Sequence, residues 1–213
     1  MSSGAGSALR MVAWPAVLTL LVSVLRLVGE RAGWAPGVFD RGFGGGASPI
    51  GIVWLIPVFG WWFGVRLARS GEWPANVERA VLIPLVLPIA GVVVVLLDVC
   101  AVVTFDRTCC LSLVGWPVAM LLSATAWPRL WRVMVVYAVL ARLPVVVITV
   151  LAVHFEWGTH YEHALPHLSE QVAVPKSVAL ALVQLLIWIP VTVVVGVLAG
   201  AIGAGLCGGR RPD

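Results

Sequence analysis

The chain has 213 residues, of which 61% are apolar and only 11% are charged. Soluble domains carry about 25% charged residues, and one globular core cannot hide this much apolar surface from water, so the composition excludes an ordinary soluble protein. The formal net charge of +4 comes from basic residues scattered between apolar blocks. This scatter argues against a nucleic-acid-binding patch and is typical of the topology signals of a membrane protein.

Six apolar blocks follow one another along the chain. A transmembrane helix needs about 20 apolar residues to cross about 30 Å of hydrocarbon, and the blocks lie at residues 11–29, 49–68, 80–104, 109–127, 131–153 and 177–205, with a tight turn at 105–108. Continuous runs such as residues 92–97 lack the alternating polarity of a transmembrane β-barrel. The sequence therefore predicts an all-α, polytopic membrane protein. Its single domain (residues 1–213) is a compact bundle of six transmembrane helices with a polar outer loop at 154–176.

The basic residues predict the orientation of the bundle. When the six blocks are threaded through a membrane, eight Lys and Arg residues fall on one side and four on the other. Cytoplasmic loops carry the excess of positive charge, so we expect both termini in the cytoplasm and the histidine-containing loop outside the cytoplasmic (plasma) membrane. Trp127 lies near a predicted cytoplasmic helix end and Trp157 near an outer one, as in an aromatic belt.

Three polar residues are predicted to lie within the membrane: Asp98, Arg142 and Gln184. A charge at the bilayer centre costs at least about 2.5 kcal/mol on insertion scales, so these residues are candidates for function. Arg142 lies about 16 Å into the fifth block, near the midplane, and Asp98 lies about 9 Å from the outer end of the third. Side chains tilt toward helix N-termini, which disfavours direct pairing of Asp98 with Arg142. One possibility is a polar layer with a proton or cation site at Asp98. The alternative is that Asp98 forms a local hydrogen bond and Arg142 binds a neighbouring carbonyl or a lipid headgroup. Arg26, at the end of the first block, is expected to snorkel to the surface.

Two glycine pairs have the spacing of closely packed helices. Gly60 and Gly64 in the second block, and Gly196 and Gly200 in the sixth, form GxxxG motifs, which allow helix backbones to approach closely in membranes. Both pairs fall toward the predicted cytoplasmic ends of their helices. We expect these two helices to pack against each other within one chain, with a homodimer interface as the alternative.

All four histidines lie within residues 154–167, in the predicted outer loop. Imidazoles with a carboxylate make a ligand set for a transition metal such as zinc. The candidate ligands, which fall on one face of an ideal helix, are Glu156, His160, His163 and His167. Gly158 and Pro166 interrupt such a helix. The alternatives are an interfacial loop with Trp157 and Tyr161 at the headgroup level, and a pH-responsive loop whose histidines gain charge below about pH 6.5.

The sequence lacks the usual marks of an enzyme. No histidine falls within a predicted helix, which argues against a bis-histidine haem, and there is no G-x-S-x-G, P-loop or H-E-x-x-H motif. We predict a non-enzymatic accessory or scaffolding subunit of a membrane assembly, with no cofactor. Its expected partners are membrane lipids, other membrane subunits or a second copy, and no nucleic acid. The alternatives are a small-solute or ion transporter that uses Asp98 and Arg142, and an outer-face metal-binding protein built on the histidine loop.

Overall fold

The computed structural model describes residues 3–42, 48–99, 105–163 and 174–207. Side chains are described throughout these ranges except at residues 3–5, 87–88, 91–99, 105–112 and 207. The described backbone consists of helices and turns and contains no strand. The predicted all-α class is therefore confirmed for the described part of the chain.

Helices occupy all six predicted blocks. They are α1 (Ser3–Ala32), α2 (Leu55–Arg69), α3 (Val77–Val99), α4 (Phe105–Ala126), α5 (Pro128–Phe155) and a last unit of α6 (Lys176–Val183), a π-helical turn (Gln184–Trp188) and α7 (Ile189–Cys207). A short 3₁₀ helix (His160–Glu162) follows α5. Within the described residues, three stretches are long and apolar enough to cross a membrane: Gly6–Ala32, Pro128–Phe155 and Lys176–Leu206.

Most helix boundaries differ from the predicted ones by a few residues, and α1 begins at Ser3 rather than at residue 11. Two differences involve turns. The second block, predicted at 49–68, becomes helical only at Leu55, because residues 48–54 form turns in which the indole N–H of Trp54 donates to the carbonyl of Pro49 at 2.9 Å. Its 15 helical residues rise about 22 Å, less than the hydrocarbon thickness. The turn predicted at 105–108 instead begins α4, and the sequence places an acidic residue, Asp106, at this helix start, where it is favourable. Residues 100–104 of the third block lie outside the described residues.

Contacts between α1 and α5 fix the relative direction of these two helices. Arg129, at the start of α5, donates to the hydroxyl of Ser7 near the start of α1 at 2.7 Å. Farther along both helices, the hydroxyls of Thr19 and Tyr137 lie 2.9 Å apart. The two helices therefore run parallel, and both end at the same end of the bundle.

The predicted glycine pairs of α2 and α7 face each other. A Cβ atom built on Gly60 would lie 2.6 Å from the Cα of Gly196, and one on Gly64 would lie 2.5 Å from the carbonyl carbon of Gly200. Such distances leave no room for any side chain at these positions, because the two backbones are in direct contact. The order of the contacts also shows that α2 and α7 run parallel.

Helix α5 lies against the same glycines from another side and runs antiparallel to α7. Leu130 packs on Gly200. Met134, which follows Leu130 along α5, packs on Gly196, which precedes Gly200 along α7. With α1 parallel to α5 and α2 parallel to α7, helices that follow one another in the chain alternate in direction among these four. The buried core between them is formed by Phe63, Leu67, Leu130, Met134, Tyr137, Val193 and Val197.

Trp127 belongs to this core and not to a surface belt. It is the single residue between α4 and α5, and it is only 1% exposed. The indole of Trp131 braces the same corner by donating to the carbonyl of Met120 at 2.7 Å. A chain that reverses within one residue brings the two helix ends together, so the side chain at the corner is enclosed by them. The assignment of Trp127 to an aromatic belt was therefore wrong.

The last helical unit contains a π-helical turn at Gln184–Trp188, immediately before Pro190. Proline has no backbone N–H, and its ring clashes with the carbonyl four residues earlier, so an α-helix cannot run through it undisturbed. A π turn accommodates this disturbance. The hydroxyl of Thr192 donates to the carbonyl of Trp188 at 2.7 Å, which satisfies one backbone acceptor in the altered segment.

Candidate functional site

A buried polar stripe runs along α1. Thr19, Ser23, Arg26 and Glu30 are each no more than 2% exposed, and their spacing places them on one face of the helix. The hydroxyls of Thr19 and Ser23 are satisfied within the helix, by donating to carbonyls four residues earlier at 2.8 and 2.9 Å. The charged pair at the end of the stripe needs partners from elsewhere in the chain.

Glu30 finds those partners in Arg26 and in His160 of the 3₁₀ helix. One carboxylate oxygen of Glu30 lies 2.6 Å from Nε of Arg26 and 2.6 Å from Nδ1 of His160. The other oxygen accepts the backbone N–H of His160 at 3.0 Å. We call Arg26, Glu30 and His160 the clasp, because they fasten the segment after α5 to the end of α1.

Arg26 extends the clasp to the loop between α1 and α2. Its Nη2 donates to the carbonyl of Asp40 at 2.9 Å, and its Nη1 donates to the hydroxyl of Ser48. In the same region Arg41 donates to the backbone carbonyl of Glu30. Arg26 is 2% exposed, so it does not snorkel to the surface as expected. The guanidinium is stable inside the protein because each of its three nitrogens has an acceptor.

The geometry indicates which nitrogen of His160 carries the proton. Nδ1 is close both to the Glu30 carboxylate, which only accepts, and to Nε of Arg26, which only donates, at 3.2 Å. A protonated Nδ1 that donates to Glu30 leaves Arg26 to donate to the same carboxylate, and every group is satisfied. Burial lowers the pKa of the His160 imidazole, and the hydrogen bond and charge of Glu30 partly oppose this effect. His160 is therefore neutral near pH 7, with its proton on Nδ1.

Tyr161 lies inside the protein rather than at the headgroup level predicted for it. It is 8% exposed, and its hydroxyl donates to the carbonyl of Ser23 at 3.2 Å. A capping box between Thr159 and Glu162 shapes the 3₁₀ helix that places Tyr161 there. Trp157 is half-buried, with the Arg31 guanidinium 5.9 Å from its ring centre.

The predicted metal ligands do not all fall within the described residues. Glu156 is exposed and ends α5 with a positive φ of 49°, and His163 is exposed at the end of the 3₁₀ helix. His160 is turned toward Glu30, and His167 lies outside the described part. In that part, no three His, Cys, Asp or Glu side chains are grouped to hold a metal. A site that includes His167 stays a prediction.

Arg142 forms a second buried polar group, in the middle of α5. It is 4% exposed, and its contacts are the side-chain oxygens of Gln184 and Thr192, each at 3.4 Å, and the ring of Trp188, whose centre lies 4.7 Å from the guanidinium carbon. All three belong to the π turn or its flank. Asp98 is placed on α3, but its side chain lies outside the described side chains.

Sequence reasoning missed the clasp. The signal for it was present: Thr19, Ser23, Arg26 and Glu30 recur with the 3.6-residue period of one helix face inside an otherwise apolar block. Such a stripe predicts that this face is buried against protein. The partner His160 could not be identified, because 130 residues separate it from Glu30 and nothing local marks the contact.

Two open depressions lie near the clasp but do not include its residues. One of about 500 Å³ is lined by Leu27, Val28, Arg31, Ala32 and Trp157. The other, of about 270 Å³, lies within the loop after α1, at residues 33–41. The clasp groups are instead directed at one another. The chain matches no family model, and it shows no significant similarity to a curated protein or to a solved structure.

Proposed function

We propose that the protein is a non-enzymatic, multi-pass protein of the cytoplasmic membrane that acts as an accessory or scaffolding subunit. Its six helical blocks cross the membrane, both termini lie in the cytoplasm, and the clasp faces outward. The observation that carries this proposal is the distribution of polarity. The apolar side chains face outward along the long helices, while the buried polar groups bond mainly to one another.

The surface of α1 supports the membrane assignment. Only 28% of its most apolar segment is buried, and its exposed face carries large aliphatic side chains: Leu9, Val17, Leu21, Val24, Leu25 and Val28. An apolar helix face of this length is stable in lipid and not in water. Small residues, which favour close contact with a partner helix, are used inside the bundle instead, between α2 and α7.

The directions of the helices support six crossings. A chain that crosses a membrane at every block must reverse direction from each block to the next. The contacts of α1, α2, α5 and α7 obey this rule, and the short α2 completes its crossing with the turns that precede it. In such an arrangement the junctions after α2 and before α5 are cytoplasmic, where Arg69 and Arg129 lie.

A scaffolding role is supported by the closed packing of the described core. The α2–α7 contact is backbone against backbone, and the clasp pairs its own charges. Neither arrangement offers a nucleophile next to a free base, as covalent catalysis requires. The transporter and metal-binding alternatives remain predictions that depend on Asp98 and His167.

Labelling of single cysteines in intact cells tests the topology. In a background without the native cysteines, we expect His163→Cys to react with a membrane-impermeant maleimide from outside, and Ser70→Cys to react only after permeabilisation. Equal labelling of both positions from outside would overturn the six-crossing arrangement. Ala126→Cys, a buried position, serves as the unreactive control.

The scaffolding role is tested with purified protein in liposomes and by native mass spectrometry in mild detergent. We expect a defined stoichiometric complex with a membrane protein or a second copy, and no passive or proton-coupled flux of small ions. Flux that is lost in Asp98→Asn or Arg142→Gln, without a complex, would replace the scaffolding role by transport.

A further inference from the structure

The larger of the two depressions near the clasp lies between the end of α1 and the segment after α5. It has a volume of about 500 Å³ and is lined by Leu27, Val28, Arg31, Ala32 and Trp157. This volume is typical of sites that hold a small molecule or part of a larger one. The lining is apolar apart from the Arg31 guanidinium, and it contains no carboxylate.

Trp157 forms a fixed wall of the depression. Its backbone N–H donates to the carbonyl of Ala152 at 3.2 Å, and its own carbonyl accepts a hydrogen bond from Nη1 of Arg31 at 3.2 Å. The ring of Phe155 stacks on the indole, with 6.1 Å between the ring centres and 12° between the planes. A wall that is fixed before a ligand arrives lowers the entropic cost of binding.

Arg31 places a cation without a counter-charge at the rim. It is exposed and makes no ion pair with any described side chain. Its neighbour Glu30 is fully buried and is already bound by Arg26 and His160. Among the described residues the Arg31 side chain hydrogen-bonds through Nη1 alone, so its Nε and Nη2 are available to an anionic ligand.

The order of these groups along α1 matches that of a phospholipid. Arg31 lies in the last turn of α1, at the end of the apolar stretch Gly6–Ala32. If α1 crosses the membrane, as proposed above, the guanidinium lies at the level of the lipid phosphates. Val28 and Leu27 then lie roughly 5–6 Å deeper along the helix, where the acyl chains begin.

We propose that this depression binds an anionic phospholipid of the phosphatidylglycerol type. The phosphate is bound by Arg31, and the upper part of one acyl chain lies on Leu27 and Val28 against the Trp157 indole. A lipid with a single negative charge neutralises the guanidinium. A zwitterionic lipid would instead bring its own cation to a depression that has no carboxylate in its lining. The inference rests on the proposed membrane crossing and names a lipid for one of its ends.

Brominated lipids test the site in the full-length protein. Bromine quenches tryptophan fluorescence at short range, and the contribution of Trp157 is the difference between the wild type and Trp157→Phe. The protein is reconstituted in phosphatidylcholine that contains an increasing fraction of phosphatidylglycerol brominated in the upper acyl chain. Brominated phosphatidylcholine in the same host is the reference. We expect half-maximal quenching of Trp157 at an about fivefold lower fraction of the anionic lipid, the factor that one basic residue contributes near an anionic membrane.

Three variants separate a lipid site from general attraction to the surface. Arg31→Gln should abolish the preference for the anionic lipid. Arg66→Gln lowers the net charge equally and removes a guanidinium that lies 5.2 Å from the Trp62 ring centre at the other end of the bundle, so the preference at Trp157 should remain. Ala32→Phe fills the depression from an exposed position and keeps Arg31, and it should also abolish the preference.

Equal quenching of Trp157 by the two lipids in the wild type would overturn the proposed site while leaving the membrane crossing intact. A preference that persists in Arg31→Gln or in Ala32→Phe would overturn it as well, because neither the guanidinium nor the depression would then be needed. Absence of quenching by either lipid would place Trp157 outside the bilayer. That result would overturn the proposed end of the membrane crossing together with the site, so the two failures are distinguishable.

Discussion

His160 binds both oxygens of the Glu30 carboxylate, with its Nδ1 at 2.6 Å from one and its backbone N–H at 3.0 Å from the other. Glu30 is fully buried, and the same carboxylate also neutralises Arg26. A single acidic side chain thus joins α1 to the segment after α5. Its removal affects two partners at once.

We predict that Glu30→Gln destabilises the protein strongly. The amide leaves the Arg26 charge buried without its counter-charge, and breaking a buried pair in this way costs about 3–5 kcal/mol. The measurement is the free energy of unfolding in detergent, followed by tryptophan fluorescence. In the double variant Arg26→Met with Glu30→Leu, no charge remains buried, and we expect much of the lost stability to return.

Glu72→Gln is the matched control for that experiment. Glu72 also pairs with an arginine, Arg129, at 2.8 Å, but its side chain is 43% exposed. Exposed pairs contribute at most about 1 kcal/mol, so this variant should remain close to the wild type. Similar losses for Glu72→Gln and Glu30→Gln would contradict the importance assigned to burial of the clasp.

We predict that the folded protein loses stability as the pH falls below about 6.5. Burial holds the pKa of His160 below its ordinary value, while the unfolded chain titrates near that ordinary value of about 6.5. The unfolded state therefore takes up the proton first, and stability is full above this range and decreases below it. The charged groups that act on His160 are Arg26 and Glu30 of α1 and His163 of its own segment.

The comparison of the wild type with His160→Gln identifies this contribution. Unfolding midpoints are measured between pH 7.5 and 5.5 in both proteins. We expect a steeper decrease in the wild type, since the amide side chain of the variant does not titrate. A wild-type midpoint that rises as the pH falls would contradict this prediction. It would mean that Glu30 binds the imidazolium in the folded state and raises the pKa of His160 above its value in the unfolded chain.

We predict that Gly64→Ala separates α2 from α7. A Cβ at this position would lie 2.5 Å from the carbonyl carbon of Gly200, a backbone atom that cannot move by rotating a side chain. Overpacking of this kind costs about 1–3 kcal/mol. The control is Gly115→Ala in α4, where no atom lies within 4 Å of the added Cβ. There the better helix propensity of alanine should leave stability unchanged or slightly raised, and equal losses at both sites would contradict the close α2–α7 contact.

The block pattern of the sequence predicted where the helices lie, because apolar runs of this length have few alternatives. The boundaries were less predictable, since the start of α2 depends on turn contacts such as that between Trp54 and Pro49. Trp127 was misassigned because an amphipathic residue near a helix end can face lipid or the core, and only the one-residue corner between α4 and α5 decides which.

The environments of the polar residues were also only partly predictable from the sequence. Arg142 and Gln184 were selected from the sequence as intramembrane polar residues, and they are in contact, yet the role of the π turn between them was not visible in the sequence. Arg26 was expected to reach the surface because its neighbours in the fold were unknown. A charged residue at a helix end is stable either at the surface or in a buried ion pair. Residues far away in the sequence decide which of the two it adopts.

The clasp also constrains how the protein is made. Arg26 and Glu30 are synthesised with α1, and His160 follows 130 residues after Glu30. At about 5–20 residues per second, the ribosome needs roughly 6–26 s to supply the missing partner. During that interval α1 carries a salt bridge without the segment that encloses it. The clasp therefore closes late, after α5 has been synthesised, so the contact between α1 and the segment after α5 cannot guide the earlier steps of folding.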